Sequence, residues 1–128
     1  MLPPEYFRDN ELECHCGCGL LPQQKDVECL YALRIKVNVP FPVSSAARCK
    51  KYNRSIGGKA GSIHLPESHR RGNSSGWGGG AFDIVADADL QAKIYAAGIL
   101  VGFMGFGFGD TFIHIDNAKR PRVAVWRY

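Results

Sequence analysis

Apolar positions recur with different periods along the chain, and the period marks the element. From about Pro22, Val27, Leu30, Tyr31 and Arg34 follow the helical repeat, and Leu33 and Val37 widen the stripe. Proline suits a first helical turn, and a residue ahead of proline disfavours helix, so the spacing predicts a helix that ends before Pro40. Residues 41–48 read as a short strand delivering Arg48 at its end, and Lys50–Ser55 as a brief helical turn broken by Gly57 and Gly58. Residues 81–86 form a continuous apolar run broken by Asp83, the pattern of a buried strand. Asp87 or Asp89 can cap a following helix that carries Leu90, Ile94, Tyr95 and Ala97 and is stopped by Gly98. Residues 99–106 and Phe112–Asp116 are strand candidates joined through Gly105, Gly107 and Gly109, and residues 123–128 alternate as a closing strand.

Helices ahead of a terminal run of strands predict an α+β fold, a mainly antiparallel sheet flanked by a few helices. Residues 1–21 lack either period and read as an irregular, cysteine-rich N-terminal segment. Residues 61–80 are loop-rich, and a loop this long in a small domain is usually functional or mobile.

With 128 residues, 45% of them hydrophobic, the chain is expected to form one domain with a modest core. The net charge of +4, from 16 Lys and Arg against 12 Asp and Glu dispersed along the sequence, is too mild to indicate nucleic acid. The most apolar stretch, residues 96–108, is short and interrupted by glycines, so no membrane span is expected. No basic segment followed by an apolar one opens the chain, so no signal peptide is visible. A monomer is expected.

The candidate chemistry begins at Phe112–Asp116. His114 and Asp116 stand two positions apart on a strand, so both side chains leave one face. His64 and Asp83 suggest that the common target is a metal, since an aspartate between Phe82 and Ile84 is costly to bury unpaired and ligation removes that cost. Two histidines and a carboxylate are the ligand set of an open zinc site whose fourth position belongs to water. Hydrolysis there also needs a carboxylate to take a proton and a donor for developing charge.

Other histidines and rings have plainer readings. His15 and His69 read as packed or surface side chains, and Trp126 and Tyr128 as core or rim. The runs 76–80 and 102–109 lack the features of a phosphate-binding glycine loop. Five cysteines cannot all pair within one chain. Cys14, Cys16 and Cys18, with Cys29 or Cys49, are compatible with a structural zinc or with one disulfide and spare thiols.

Ser62-Ile63-His64, Gly79-Gly80-Ala81-Phe82-Asp83-Ile84, Phe112-Ile113-His114-Ile115-Asp116 and Trp126 together resemble the zinc D-alanyl-D-alanine carboxypeptidase family, which has the hedgehog/DD-peptidase fold. Residues 42–53, Pro-Val-Ser-Ser-Ala-Ala-Arg-Cys-Lys-Lys-Tyr-Asn, resemble the segment ahead of the first ligand in peptidoglycan-cleaving members. The resemblance implies zinc ligation by His64, Asp83 and His114, a substrate carboxylate or oxyanion held by Arg48, and a supporting position for Ser62 behind the first ligand. The planar fork of arginine suits the task given to Arg48.

The sequence departs from the family pattern in two places. The first histidine and the aspartate usually share one compact motif, whereas here an insertion of roughly residues 65–78 separates its halves; His69 is the competing ligand. Many members carry an acid three residues before the last histidine, where this chain has Thr111, so Asp116 becomes the expected base and Asp110 the alternative. The resulting expectation is a Zn2+-dependent peptidase that cuts an amide bond in peptidoglycan peptides. It is expected to reach the cell wall by a route other than a signal peptide, as a phage lysis enzyme would. The alternative is a non-catalytic cell-wall-binding or phage-structural module on the same fold.

Overall fold

The computed structural model describes residues 6–59, 61–65 and 80–128. The elements in order are α1 (Asp9–Leu12), α2 (Gln24–Val37), β1 (Val43–Ser45), α3 (Lys50–Ser55), β2 (Ala81–Val85), α4 (Ala88–Val101), β3 (Gly105–Phe108), β4 (Phe112–Asp116) and β5 (Ala124–Arg127). The strands form one sheet in the order β1-β2-β4-β3-β5, antiparallel at every pairing except the parallel β3-β5 edge. The expected α+β architecture with a mainly antiparallel sheet is present. Among the described residues no helix is long and apolar enough to cross a membrane.

The period of two along β2, β3 and β4 splits the sheet into a core face and a polar face. Phe82 pairs with Ile115 and Ile84 with Ile113, while Phe106 and Phe108 face the same residues from β3. These side chains join Leu30, Tyr31 and Leu33 of α2 and Ile94 and Ala97 of α4 in one core cluster. The opposite face carries a row running Asp83, His114, Gly107, Trp126 across four strands, with Asp116 beside Gly105 in the next row.

Several elements depart from the expected bounds. The second long helix does not stop at Gly98 but runs to Val101, so the strand expected over residues 99–106 begins only at Gly105. Gly98 serves packing instead: a Cβ there would lie 2.6 Å from Phe106 Cε1, so the missing side chain lets α4 settle on the sheet. The C-cap is Gly102, at φ +111, whose N–H donates to the Gly98 carbonyl. Asp87 caps the other end by accepting the Leu90 N–H at 2.9 Å.

The strand expected over residues 41–48 shrinks to Val43–Ser45, because the chain beyond it leaves the ladder to meet the end of α1 and the loop of His64. Ala47 N–H donates to the Leu12 carbonyl and Arg48 N–H to the His64 carbonyl. The N-terminal segment holds a short helix, α1, where an irregular chain was expected. Its Glu11 accepts N–H groups from Arg8 and from Val43, each at 3.1 Å, tying the segment to β1. Most of the inserted stretch 65–78, and His69 within it, lies outside the described residues; Leu65 is buried.

Candidate metal centre

The register of β2 against β4 sets Asp83 directly opposite His114. Both face the polar side of the sheet, and His64 reaches them from the loop that follows α3. The loop is shaped by its own polar groups: His64 N–H donates to the Ser62 hydroxyl at 3.2 Å, and the His64 carbonyl accepts from Arg48 N–H at 2.9 Å. The ring is aimed by the Ala46 carbonyl, 2.6 Å from Nδ1. A carbonyl only accepts, so Nδ1 carries the hydrogen and Nε2 is the nitrogen left facing Asp83 Oδ2, at 3.3 Å.

His114 is held the other way round. Its Nε2–H donates to Asp116 Oδ2 at 2.9 Å, and its Nδ1 faces Asp83 Oδ1 at 3.0 Å. One ligand atom from each of His64, Asp83 and His114 lies within 4.8 Å of the other two. Around a tetrahedral metal with bonds of 2.0–2.1 Å, ligand atoms stand roughly 3.3 Å apart. His64 Nε2 stands 3.3 Å from Asp83 Oδ2, close to that edge, and His114 Nδ1 stands 3.0 Å from the other oxygen, Oδ1; the donor set suits zinc.

The electrostatics of the cluster follow from its crowding. Burial by itself raises Asp83, but hydrogen bonds and charge from His114 and His64 outweigh it and hold the carboxyl well below the usual range. Burial by itself lowers His114, but the hydrogen bonds to Asp116 and Asp83 and their charges push it up to about 9. Both carboxylates thus favour the protonated form of His114. Asp116 is likewise held below its ordinary value against the effect of burial, by His114, the Arg120 guanidinium and the Ala118 N–H.

Asp116 is the expected base, and its carboxylate is committed elsewhere. Oδ2 accepts from His114 and Arg120, each at 2.9 Å, and Oδ1 accepts from Ala118 N–H at 3.1 Å and Arg120 at 3.2 Å. It lies on the side of the His114 ring away from Asp83 and is almost wholly buried. The strand period does give it the same face as His114, but the turn after β4 folds Arg120 back onto it. Asp110, the alternative, is an exposed turn residue paired with Arg127 at 3.2 Å and is not among the residues lining the cleft. Thr111 lends its carbonyl to Ala86 N–H.

Arg48 does reach the cluster. Its Nη2 is 3.5 Å from Asp83 Oδ2, while Nε donates to Ser45 Oγ and Nη1 to Asn53 Oδ1, each at 3.3 Å. Tethers on two nitrogens fix the fork at the rim of a cleft of about 750 Å³, which Ser62, His64, Asp83 and His114 also line.

Trp126 and Tyr128 line this cleft as well. The Trp126 ring lies 5.4 Å from His114, with the Arg120 guanidinium 5.6 Å from its centre. Glycine makes the room: a Cβ on Gly107 would run into the Trp126 indole, and one on Gly105 would lie 2.5 Å from Asp116 Oδ2. Alternating glycines in β3, facing a histidine and an acid in β4, were the available signal. Arg120 had none, since its role depends on the fold-back of a loop.

A family model for Peptidase M15 matches residues 5–116 of the chain. No curated protein and no solved structure matches it.

Proposed function

We propose that this chain, which belongs to the Peptidase M15 family, is a zinc-dependent hydrolase of amide bonds in the peptide part of peptidoglycan, acting as a D-Ala-D-Ala carboxypeptidase or as an endopeptidase. The observation that carries the reading is the convergence of His64 Nε2, Asp83 and His114 Nδ1 on the wall of an open cleft with a tethered arginine beside them. These three residues would hold the ion, which when bound polarises a carbonyl and lowers the pKa of a water molecule.

The remaining roles belong to the chain itself. The Ala46 carbonyl and the Asp116 carboxylate each hold the outward nitrogen of one histidine, so each ring keeps its other nitrogen, Nε2 of His64 and Nδ1 of His114, turned to a common point without rotating. Arg48 receives an anionic group, the C-terminal carboxylate of a peptide or the oxyanion of the attacked carbonyl. Trp126 and Tyr128 offer flat apolar surface to the substrate chain and help to exclude water. Asp116 is assigned to positioning His114, because a carboxylate already accepting from an imidazole, a guanidinium and an amide has little basicity left for a proton in transit.

One observation favours a second reading, a wall-binding module without catalysis. Among the described residues lining the cleft, the carboxylates are Asp83 and Asp116, and both are engaged. The two readings part on incubating purified peptidoglycan with zinc-loaded wild-type protein and with His114→Ala. Release of amines or free D-alanine by the wild type alone supports the hydrolase. Zinc-dependent pelleting with the wall, with no new amine released, would establish the binding module instead.

A further inference from the structure

A second group of ligand-type side chains, chemically unlike the first, sits where the N-terminal segment meets α3. The Sγ atoms of Cys14, Cys16, Cys18 and Cys49 all lie within 4.8 Å of one another. Cys16 Sγ stands 3.5 Å from Cys14 Sγ and 3.6 Å from Cys49 Sγ, and all the cysteines are free thiols. A tetrahedral ion with Zn–S bonds near 2.3 Å sets its sulfurs about 3.8 Å apart. A disulfide draws two of them to about 2.0 Å and leaves the others without a common centre.

We propose that Cys14, Cys16, Cys18 and Cys49 together bind one tetrahedral, thiolate-preferring divalent ion of the zinc class, which staples the N-terminal segment to the loop carrying Arg48. Sequence spacing alone argues against this, because single residues between cysteines are tighter than the usual knuckle. The backbone removes the objection. Gly17 and Gly19 take φ +85 and +84, conformations side-chain-bearing residues avoid, and they curl the segment back on itself. Gly17 N–H closes on the Cys14 carbonyl at 3.2 Å and Cys14 N–H on the Leu20 carbonyl at 2.8 Å. Sulfurs that a straight strand would spread along an edge are gathered at one point.

Backbone donors already address two of the sulfurs. Cys49 N–H points to Cys14 Sγ and Tyr52 N–H to Cys49 Sγ, each at 3.3 Å, an arrangement that steadies thiolate charge. Binding releases the thiol protons to solvent and leaves a centre of net negative charge, directly followed in sequence by Lys50 and Lys51. Cys29, in α2, is not part of the cluster, and His15 turns its ring to Tyr52, 6.0 Å away. Because Cys49 follows Arg48 and Ala47 N–H binds the Leu12 carbonyl, an ion here holds the arginine loop against the N-terminal segment. The site's existence does not depend on the proposed hydrolase activity.

The test uses the full chain, purified under reductant, stripped with chelator and titrated with Co2+. Wild-type protein, Cys29→Ser and a His64→Ala/His114→Ala variant should each show a thiolate-to-cobalt charge-transfer band, and Cys16→Ser/Cys18→Ser should lose it. Alkylation read by mass spectrometry gives an independent check on the wild-type chain: zinc should shield Cys14, Cys16, Cys18 and Cys49 and leave Cys29 reactive. A wild-type protein with no charge-transfer band, or with these cysteines equally reactive with and without zinc, would overturn the proposal. So would a band that vanishes in the histidine variant.

Discussion

Asp116 Oδ2 accepts the Nε2–H of His114 at 2.9 Å from the side of the ring opposite Asp83. The two carboxylates therefore act on one imidazole from opposite sides, and both favour its protonated form. A cation ligated by Nδ1 must displace a proton from His114, and the chemistry of the site becomes pH-dependent for that reason.

Zinc binding should tighten as pH rises toward about 9, the value to which His114 is pushed, with uptake of the ion releasing protons to solvent. The stability of the chelated protein should move the opposite way. A raised pKa contributes stability that is fully present below the unfolded value near 6.5 and is lost as pH climbs through about 9. Asp83 and Asp116, both lowered, contribute stability present above roughly pH 4 and lost in acid. Thermal melts of the chelated chain from pH 4 to 10 should fall along the alkaline limb, and zinc should reverse that limb; a flat alkaline limb would contradict the raised pKa of His114.

Asp116→Asn preserves shape but can no longer hold the His114 tautomer by charge. Loss of such an outer partner typically weakens metal affinity by about 10- to 100-fold. If Asp116 only positions His114, saturating zinc should return most of the turnover. If it is the base, turnover stays low at every zinc concentration, and the positioning role is lost.

Gly105→Ala would place a methyl group 2.5 Å from the Asp116 carboxylate, and Gly98→Ala one 2.6 Å from the Phe106 ring. Both should cost roughly 1–3 kcal/mol of stability by overpacking. Only the first should also weaken zinc binding, because only it displaces the group behind His114. Urea melts beside calorimetric zinc titrations separate the two.

Arg48→Lys keeps the charge but gives up the fork that Ser45 and Asn53 hold in place. A hydrogen bond to a charged group is worth about 1.5–3 kcal/mol, so kcat/KM on a peptide with a free carboxylate should fall roughly ten- to hundredfold. Zinc content should not change. Equal loss on a substrate with its C-terminus amidated would assign Arg48 to the oxyanion rather than to the carboxylate.

Much of the architecture was legible because it is local. The helical stripe of Leu30, Tyr31 and Leu33, the Asp87 cap and the buried strand around Asp83 obey periods and capping rules that act within a few residues. Gly98 misled for a physical reason: glycine ends helices, yet it also lets them pack closely, and only Phe106 across the interface shows which applies.

The sequence by itself determined which side chains bring chemistry, that His114 and Asp116 leave one strand face, and that an apolar strand must find a partner for Asp83. The tertiary structure decided which atoms meet. Strand register put Asp83 against Nδ1 of His114, and a folded-back loop gave Asp116 to Arg120 and Nε2. A glycine-curled segment chose Cys49 over Cys29, and a parallel edge strand carried Trp126 over Gly107 into the cleft. Side-chain direction along a strand is set by steric rules of period two that neighbouring residues enforce. Contacts between distant segments are set by register and loop closure, which depend on how the whole core packs.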